Sequence, residues 1–158
     1  MSGLSLAILA AALPVFFGGI GSCIGIGKVG RAANALLSRE PQKFGSLLIL
    51  EALPGTQGIY GFLAGFFVIM KIGLLGGKVP EIPFDVGVQI LLAVLPITFV
   101  ALTSAIFQGM VARSGVEVVA KQEKEFMKPV IFAAMVETYA ILGLLASIIF
   151  INGISVGK

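Results

Sequence analysis

The stretch Val86–Ala112, VGVQILLAVLPITFVALTSAIFQGMVA, holds no charged residue. A helix needs about 20 apolar residues to cross the roughly 30 Å of a bilayer core, so this segment is long enough to span. Three other stretches share its character. Residues 4–27 carry no charge, residues 44–70 carry only Glu51, and residues 129–157 carry only Glu137. The first lacks a basic leading region and recurs later in the chain, so it is expected as a span rather than a signal peptide.

Composition supports the same reading. Of 158 residues, 58% are hydrophobic and 12% charged, with a mean hydropathy of +1.07. A soluble domain carries about 25% charged residues. The chain has no His, no Trp and one Cys, which excludes imidazole catalysis and a disulfide framework. A net charge of +3, scattered along the chain, gives no footprint for nucleic acid. The expected class is an all-α membrane protein with four transmembrane helices.

Topology follows from the bases. The link after the first span holds Lys28, Arg31, Arg39 and Lys43, and the link after the third holds Arg113, Lys121, Lys124 and Lys128. The other side receives Lys71, Lys78 and Lys158. The positive-inside rule puts both basic links in the cytoplasm and both termini on the non-cytoplasmic side. Gly76–Asp85 (GGKVPEIPFD) reads as the outer turn, dividing the chain into hairpins over residues 1–79 and 80–158.

The two halves are a tandem repeat. Sliding the chain against itself by 82 positions, without a gap, gives roughly twenty identities over about 65 residues. Leu13-Pro14 falls on Leu95-Pro96, Ser22 on Ser104, Gly27 on Gly109, Arg31 on Arg113, Phe44 on Phe126 and Thr56 on Thr138. Both halves cross twice, so the repeats run in the same orientation. The repeat breaks where chemistry is expected. Glu137 lies opposite Gly55 and Gln108 opposite Ile26, so one mid-span carboxylate serves two hairpins.

A charge near the middle of a span costs about 2.5–3.5 kcal/mol on insertion scales, which makes Glu137 a functional candidate. Leu53, Thr56, Gln57 and Tyr60 follow helical i, i+3, i+4, i+7 spacing and form one polar stripe on span 2. Pro54 has no N–H for the Leu50 carbonyl and distorts the turn at Leu53, so backbone oxygen can turn toward a ligand. On straight helices, Gln108 falls about two turns to the cytoplasmic side of Glu137. Glu51 lies nearer the cytoplasmic end and is expected to reach headgroup water or pair with a neighbour. Gly25–Gly30 (GIGKVG) fits a dinucleotide fingerprint literally, but no strand precedes it. Gly18, Gly21 and Gly25 instead give a small-residue face, expected on the crowded inner side of an assembly.

The segments LPGTQGIYG (53–61), SAIFQG (104–109) and IFAAMVETYAILG (131–143) resemble the proteolipid (K or c) subunit of bacterial and archaeal-type V-type rotary ATPases. The resemblance covers essentially the whole chain. It implies a homo-oligomeric ring in the plasma membrane, turning as the rotor of an ion pump and contacting lipid. It also implies a stator subunit that presents a cation opposite Glu137, together with central-stalk and ATP-hydrolysing subunits, since this chain carries no nucleotide site. In sodium-carrying members the ligand set falls on the Leu53 carbonyl, Thr56, Gln57, Gln108 and Glu137, with Tyr60 securing the Glu. The all-oxygen stripe favours Na⁺ as cargo over H⁺. A proton-carrying ring is the alternative in the same class, and a small secondary transporter or channel the alternative outside it.

Overall fold

The computed structural model describes residues 2–76 and 81–156. Four helical spans, Gly3–Leu37, Pro41–Lys71, Phe84–Lys121 and Glu123–Gly153, are long and apolar enough to cross a membrane. Span 1 is one helix, α1 (Gly3–Leu37), and span 4 is dominated by another, α6 (Met127–Gly153). Prolines divide the other two. Span 2 is α2 (Phe44–Ala52) and α3 (Thr56–Lys71), joined by a 3₁₀ turn at Leu53–Gly55 around Pro54. Span 3 is α4 (Phe84–Ala93) and α5 (Leu95–Lys121), broken before Pro96. The ring of Pro96 leaves the preceding turn short of a donor; beside it, the Ile97 N–H donates to Ser147 Oγ on α6 at 3.2 Å.

The spans are those expected from hydropathy, but two helices run further. α1 continues about ten residues past Gly27, and α5 continues nine past Ala112, or about 14 Å each at 1.5 Å per residue. Lys28, Arg31 and Arg113 therefore stand on helices rather than in links. Hydropathy marks where the bilayer ends, and a helix need not end there. α6 stops at Gly153, short of the expected residue 157. The expected hairpin boundary at 79/80, and Lys78 and Lys158, lie outside the described residues.

α1 packs on both α3 and α5, and α6 lies against α5 and the nearer side of α3. Two apolar clusters fill the ends of this bundle. Ala7, Ala10, Val68, Ile90, Val94 and Ile151 form one; Val29, Leu47, Leu50, Ala112, Val119 and Ala133 form the other at the basic end. A small cluster of Ala64, Ile97 and Ala101 lies between. At the basic end, buried Lys43 pairs with Glu40 at 2.6 Å and donates to the Ala120 carbonyl at 2.9 Å. A cation on a helix C-terminus is favoured by the dipole there, and this one ties the first link to α5.

The glycine face of α1 is used inside the chain. A Cβ on Gly21 would stand 2.7 Å from the Leu102 carbonyl oxygen, and one on Gly25 would stand 2.5 Å from that of Ala105 and 2.6 Å from Pro54 Cβ. Gly18 meets the Gln57 carbonyl at 2.8 Å in the same way. The small-residue face expected on the crowded inner side of an assembly serves contacts within the chain at these three glycines. They let α1 approach the chain's own α3 and α5, a choice of neighbour that a stripe of small residues does not specify. Gly19 and Gly27, which have no neighbour within 4 Å of a built Cβ, face outward.

Candidate ion-binding site

The 3₁₀ turn at Leu53–Gly55 and the helix that follows aim the polar stripe of span 2 across the bundle. Thr56 Oγ1 donates to the Leu53 carbonyl at 3.0 Å and to Gln57 Oε1 at 3.3 Å. Gln57, fully buried, donates through Nε2 to Ser104 Oγ at 3.3 Å and to Gln108 Oε1. Gln108, also fully buried, donates through Nε2 to Glu137 Oε2 at 3.2 Å. Tyr60 closes the path by donating from its hydroxyl to Glu137 Oε1 at 2.6 Å. Leu53, Thr56, Gln57, Tyr60, Gln108 and Glu137 form one continuous hydrogen-bonded chain between α3, α5 and α6.

Gln108 corrects the depth expectation. It sits beside Glu137, not two turns below it, because α5 runs to Lys121 and Ala112 is no measure of where the span ends. Ser104 and Ser22 are residues that sequence reasoning left without a role. Ser104 accepts from Gln57 and donates to the Val136 carbonyl at 3.0 Å, bracing α5 against α6. Ser22 accepts from the Gly58 N–H at 2.8 Å and donates to the Gly55 carbonyl at 3.4 Å, bracing α1 against the broken turn. Their equivalence in the repeat is the signal that marks them as a pair. Glu51 stands apart from the chain of bonds. It is half-buried with its carboxylate over Gly30, and it makes no ion pair among the described residues.

No buried side-chain N or O among the described residues lacks a partner. Satisfied networks of this kind hold their members in place, and a partly satisfied one is costly in a low dielectric. The site offers a backbone carbonyl, a hydroxyl, two amides and one carboxylate, while no cluster of three or more His, Cys, Asp or Glu occurs among the described residues. Oxygen donors of this type suit hard cations rather than transition metals. Glu137 is only half-buried, and its helix carries the exposed apolar residues Phe132, Met135, Tyr139 and Leu142. The carboxylate thus stands near a face suited to lipid.

Four spans made from two copies of one hairpin, with a single carboxylate in a polar cluster, define a duplicated-hairpin membrane proteolipid. The family model for the ATP synthase C subunit matches the chain twice, over residues 9–68 and 91–150, with the same 82-position offset as the repeat. The chain belongs to this family. It is 45% identical over 149 residues to V-type sodium ATPase subunit K of Enterococcus hirae, covering 94% of this chain and 92% of that relative. It is 35% identical to A-type ATP synthase subunit K of Methanocaldococcus jannaschii, over 98% of this chain and 66% of the relative. A match of single-hairpin length links it to the ATP synthase c-subunit of Thermotoga maritima, 32% identical over 68 residues, covering 40% of this chain and 80% of that relative.

Proposed function

We propose that this chain is the ion-carrying subunit of the membrane rotor ring of a V-type rotary ATPase, and that it carries Na⁺ at Glu137. The observation that carries the reading is the unbroken run of oxygen-bearing groups from the Leu53 carbonyl to Glu137. A proton on Glu137 would need only the carboxylate. Thr56, Gln57 and Gln108 supply what a proton does not use and a sodium ion does. Membership in the ATP synthase C-subunit family supports the rotor reading, and the 45% identity to a sodium ATPase subunit supports the choice of Na⁺.

Gln108 presents its Nε2 to Glu137. Turning this amide and that of Gln57 together by half a rotation directs Gln108 Oε1 toward the carboxylate side and leaves Gln108 Nε2 donating to Gln57 Oε1, so that no two donors face each other. Na⁺ then lies among the Leu53 carbonyl, Thr56 Oγ1, the Gln57 and Gln108 amide oxygens and the Glu137 carboxylate. Tyr60 keeps its bond to the second carboxylate oxygen. One Na⁺ on one carboxylate is neutral and can pass along lipid, whereas the empty, ionised site needs water or a fixed cation opposite it. A stator subunit supplies that cation, and the difference between loaded and empty sites gives rotation its direction. Partner subunits hydrolyse ATP and a central stalk transmits the torque.

The hairpins over 1–79 and 80–158 each cross twice, with both basic links in the cytoplasm and both termini outside the plasma membrane. ATP-driven ²²Na⁺ uptake by vesicles holding the assembled complex tests the proposal. Glu137→Gln should abolish uptake while the ring remains intact, and sustained uptake in that variant would overturn it.

A further inference from the structure

Resting on the Na⁺ reading of the site just proposed, we infer that Ser22 on α1 is a positioning residue for the ion: it holds the break in span 2 open, so that the Leu53 carbonyl is offered to Na⁺. Ser22 bonds to none of the proposed ligands, only to the backbone of Gly55 and Gly58.

The need for such a residue starts at Pro54. It has no N–H to give the Leu50 carbonyl, and the backbone answers with a 3₁₀ turn at Leu53–Gly55 in which the Thr56 N–H closes on the Leu53 carbonyl. The helix α3 then begins at Thr56, with Gly55 as its N-cap. The first N–H groups of a helix have no partner inside it. A Ser, Thr, Asp or Asn at the N-cap supplies one, accepting from the second or third helical residue. Gly55 has no side chain to do so. The third residue is Gly58, and its N–H donates at 2.8 Å to Ser22 Oγ. The same hydroxyl donates to the Gly55 carbonyl at 3.4 Å. Buried Ser22 thus caps α3 from another helix. Gly58 permits the approach, since a Cβ there would stand 3.2 Å from Ser22 Oγ.

The second hairpin shows the same turn without the proline. Shifted by 82 positions, Ser22 becomes Ser104, Pro54 becomes Val136 and Gly58 becomes Ala140. Val136 keeps its N–H, and α6 runs unbroken from Met127 to Gly153. Ser104 donates to the Val136 carbonyl and accepts from the Gln57 side chain. The serine stands in register in both hairpins, but only beside the proline does it accept a helix N–H.

Without the Ser22 hydroxyl, the acceptor open to the Gly58 N–H is the Pro54 carbonyl, four residues back. Taking it extends α3 into the turn and draws the Leu53 carbonyl onto the Gln57 N–H, along the helix axis and away from the cluster. Carbonyls at interrupted helices are a recurring means of holding cations in membranes. A proton on Glu137 has no use for this one, so the loss falls on Na⁺.

Losing a cap of this kind is worth about fivefold in an equilibrium. At a fixed pH, Ser22→Ala rings should need about five times more sodium than native rings to protect Glu137 from a carboxyl-directed carbodiimide. The pH profile of labelling without sodium should stay native, a readout that a general packing role would move as well. Ser22→Cys keeps the packing and weakens the acceptor. It should raise the sodium requirement in the same direction, and it serves alone if Ser22→Ala gives no rings. An unchanged requirement in these variants, with native rings protected by sodium, overturns the role of Ser22. So does a sodium-free pH profile that shifts along with the requirement, or failure of both variants to form rings. If native rings show no sodium protection at any pH, the Na⁺ reading itself fails and the role of Ser22 falls with it.

Discussion

Tyr60→Phe isolates one contact in the site. The substitution removes a hydroxyl and keeps the ring that packs against Ala64, Ile97 and Ala101, so the fold should hold. What is lost is the 2.6 Å bond to Glu137 Oε1. A hydrogen bond to a charged group contributes about 1.5–3 kcal/mol, and one to a neutral group about 0.5–1.5 kcal/mol. With Na⁺ bound, Glu137 is a carboxylate and receives the stronger bond; with a proton bound, it is a neutral acid and receives the weaker. Losing the hydroxyl therefore costs the sodium form about 1–1.5 kcal/mol more than the protonated form, or about five- to twelvefold in their competition. A carboxyl-directed carbodiimide reads this balance, since it reacts with the protonated acid and bound Na⁺ keeps the proton away. At a fixed pH, purified Tyr60→Phe rings should need about five to twelve times more sodium than native rings for equal protection. An unchanged sodium requirement would refute the role given to Tyr60.

Thr56→Val removes an oxygen that the proposed Na⁺ site uses and a proton site does not need. Sodium protection should weaken about fivefold or more, on the scale of one lost polar contact, while labelling at low pH and zero sodium stays at the native rate. Gly25→Leu should prevent the protomer from folding, because the Ala105 carbonyl and Pro54 occupy the space and overpacking against backbone exceeds the usual 1–3 kcal/mol. Gly27→Ala should leave the protomer intact, and the yields of detergent-stable chain compare the two. Lys43→Met leaves the half-buried Ala120 carbonyl without its donor, so the thermal midpoint of the protomer should fall, by about 0.5–1.5 kcal/mol of stability.

Much of this was legible in the amino-acid order because the bilayer constrains sequence strongly. A charge-free run such as Val86–Ala112 has few structural options, and a gapless 82-position match leaves no freedom in pairing the hairpins. Thr56, Gln57 and Tyr60 were legible as a stripe because a short helical segment fixes their relative directions. Gln108 was not, because its depth depends on where α5 ends, and the polar residues from Arg113 to Lys121 prolong the helix without raising hydropathy. The partner of the Gly18–Gly25 face was hidden for a related reason. Small side chains permit close approach without naming the helix that approaches, and only the geometry shows α5 and α3 there. Ser22 and Ser104 appear in the sequence as a repeated pair, but their work is done on backbone groups of other helices.

Direct binding of ²²Na⁺ to purified rings, measured as moles bound per chain across pH, tests the central claim. The expected result is saturation at one Na⁺ per chain, progressive displacement as pH falls and the proton takes Glu137, and no saturable binding to Glu137→Gln rings. Absence of saturable binding at every pH, or binding that persists in Glu137→Gln, would contradict it.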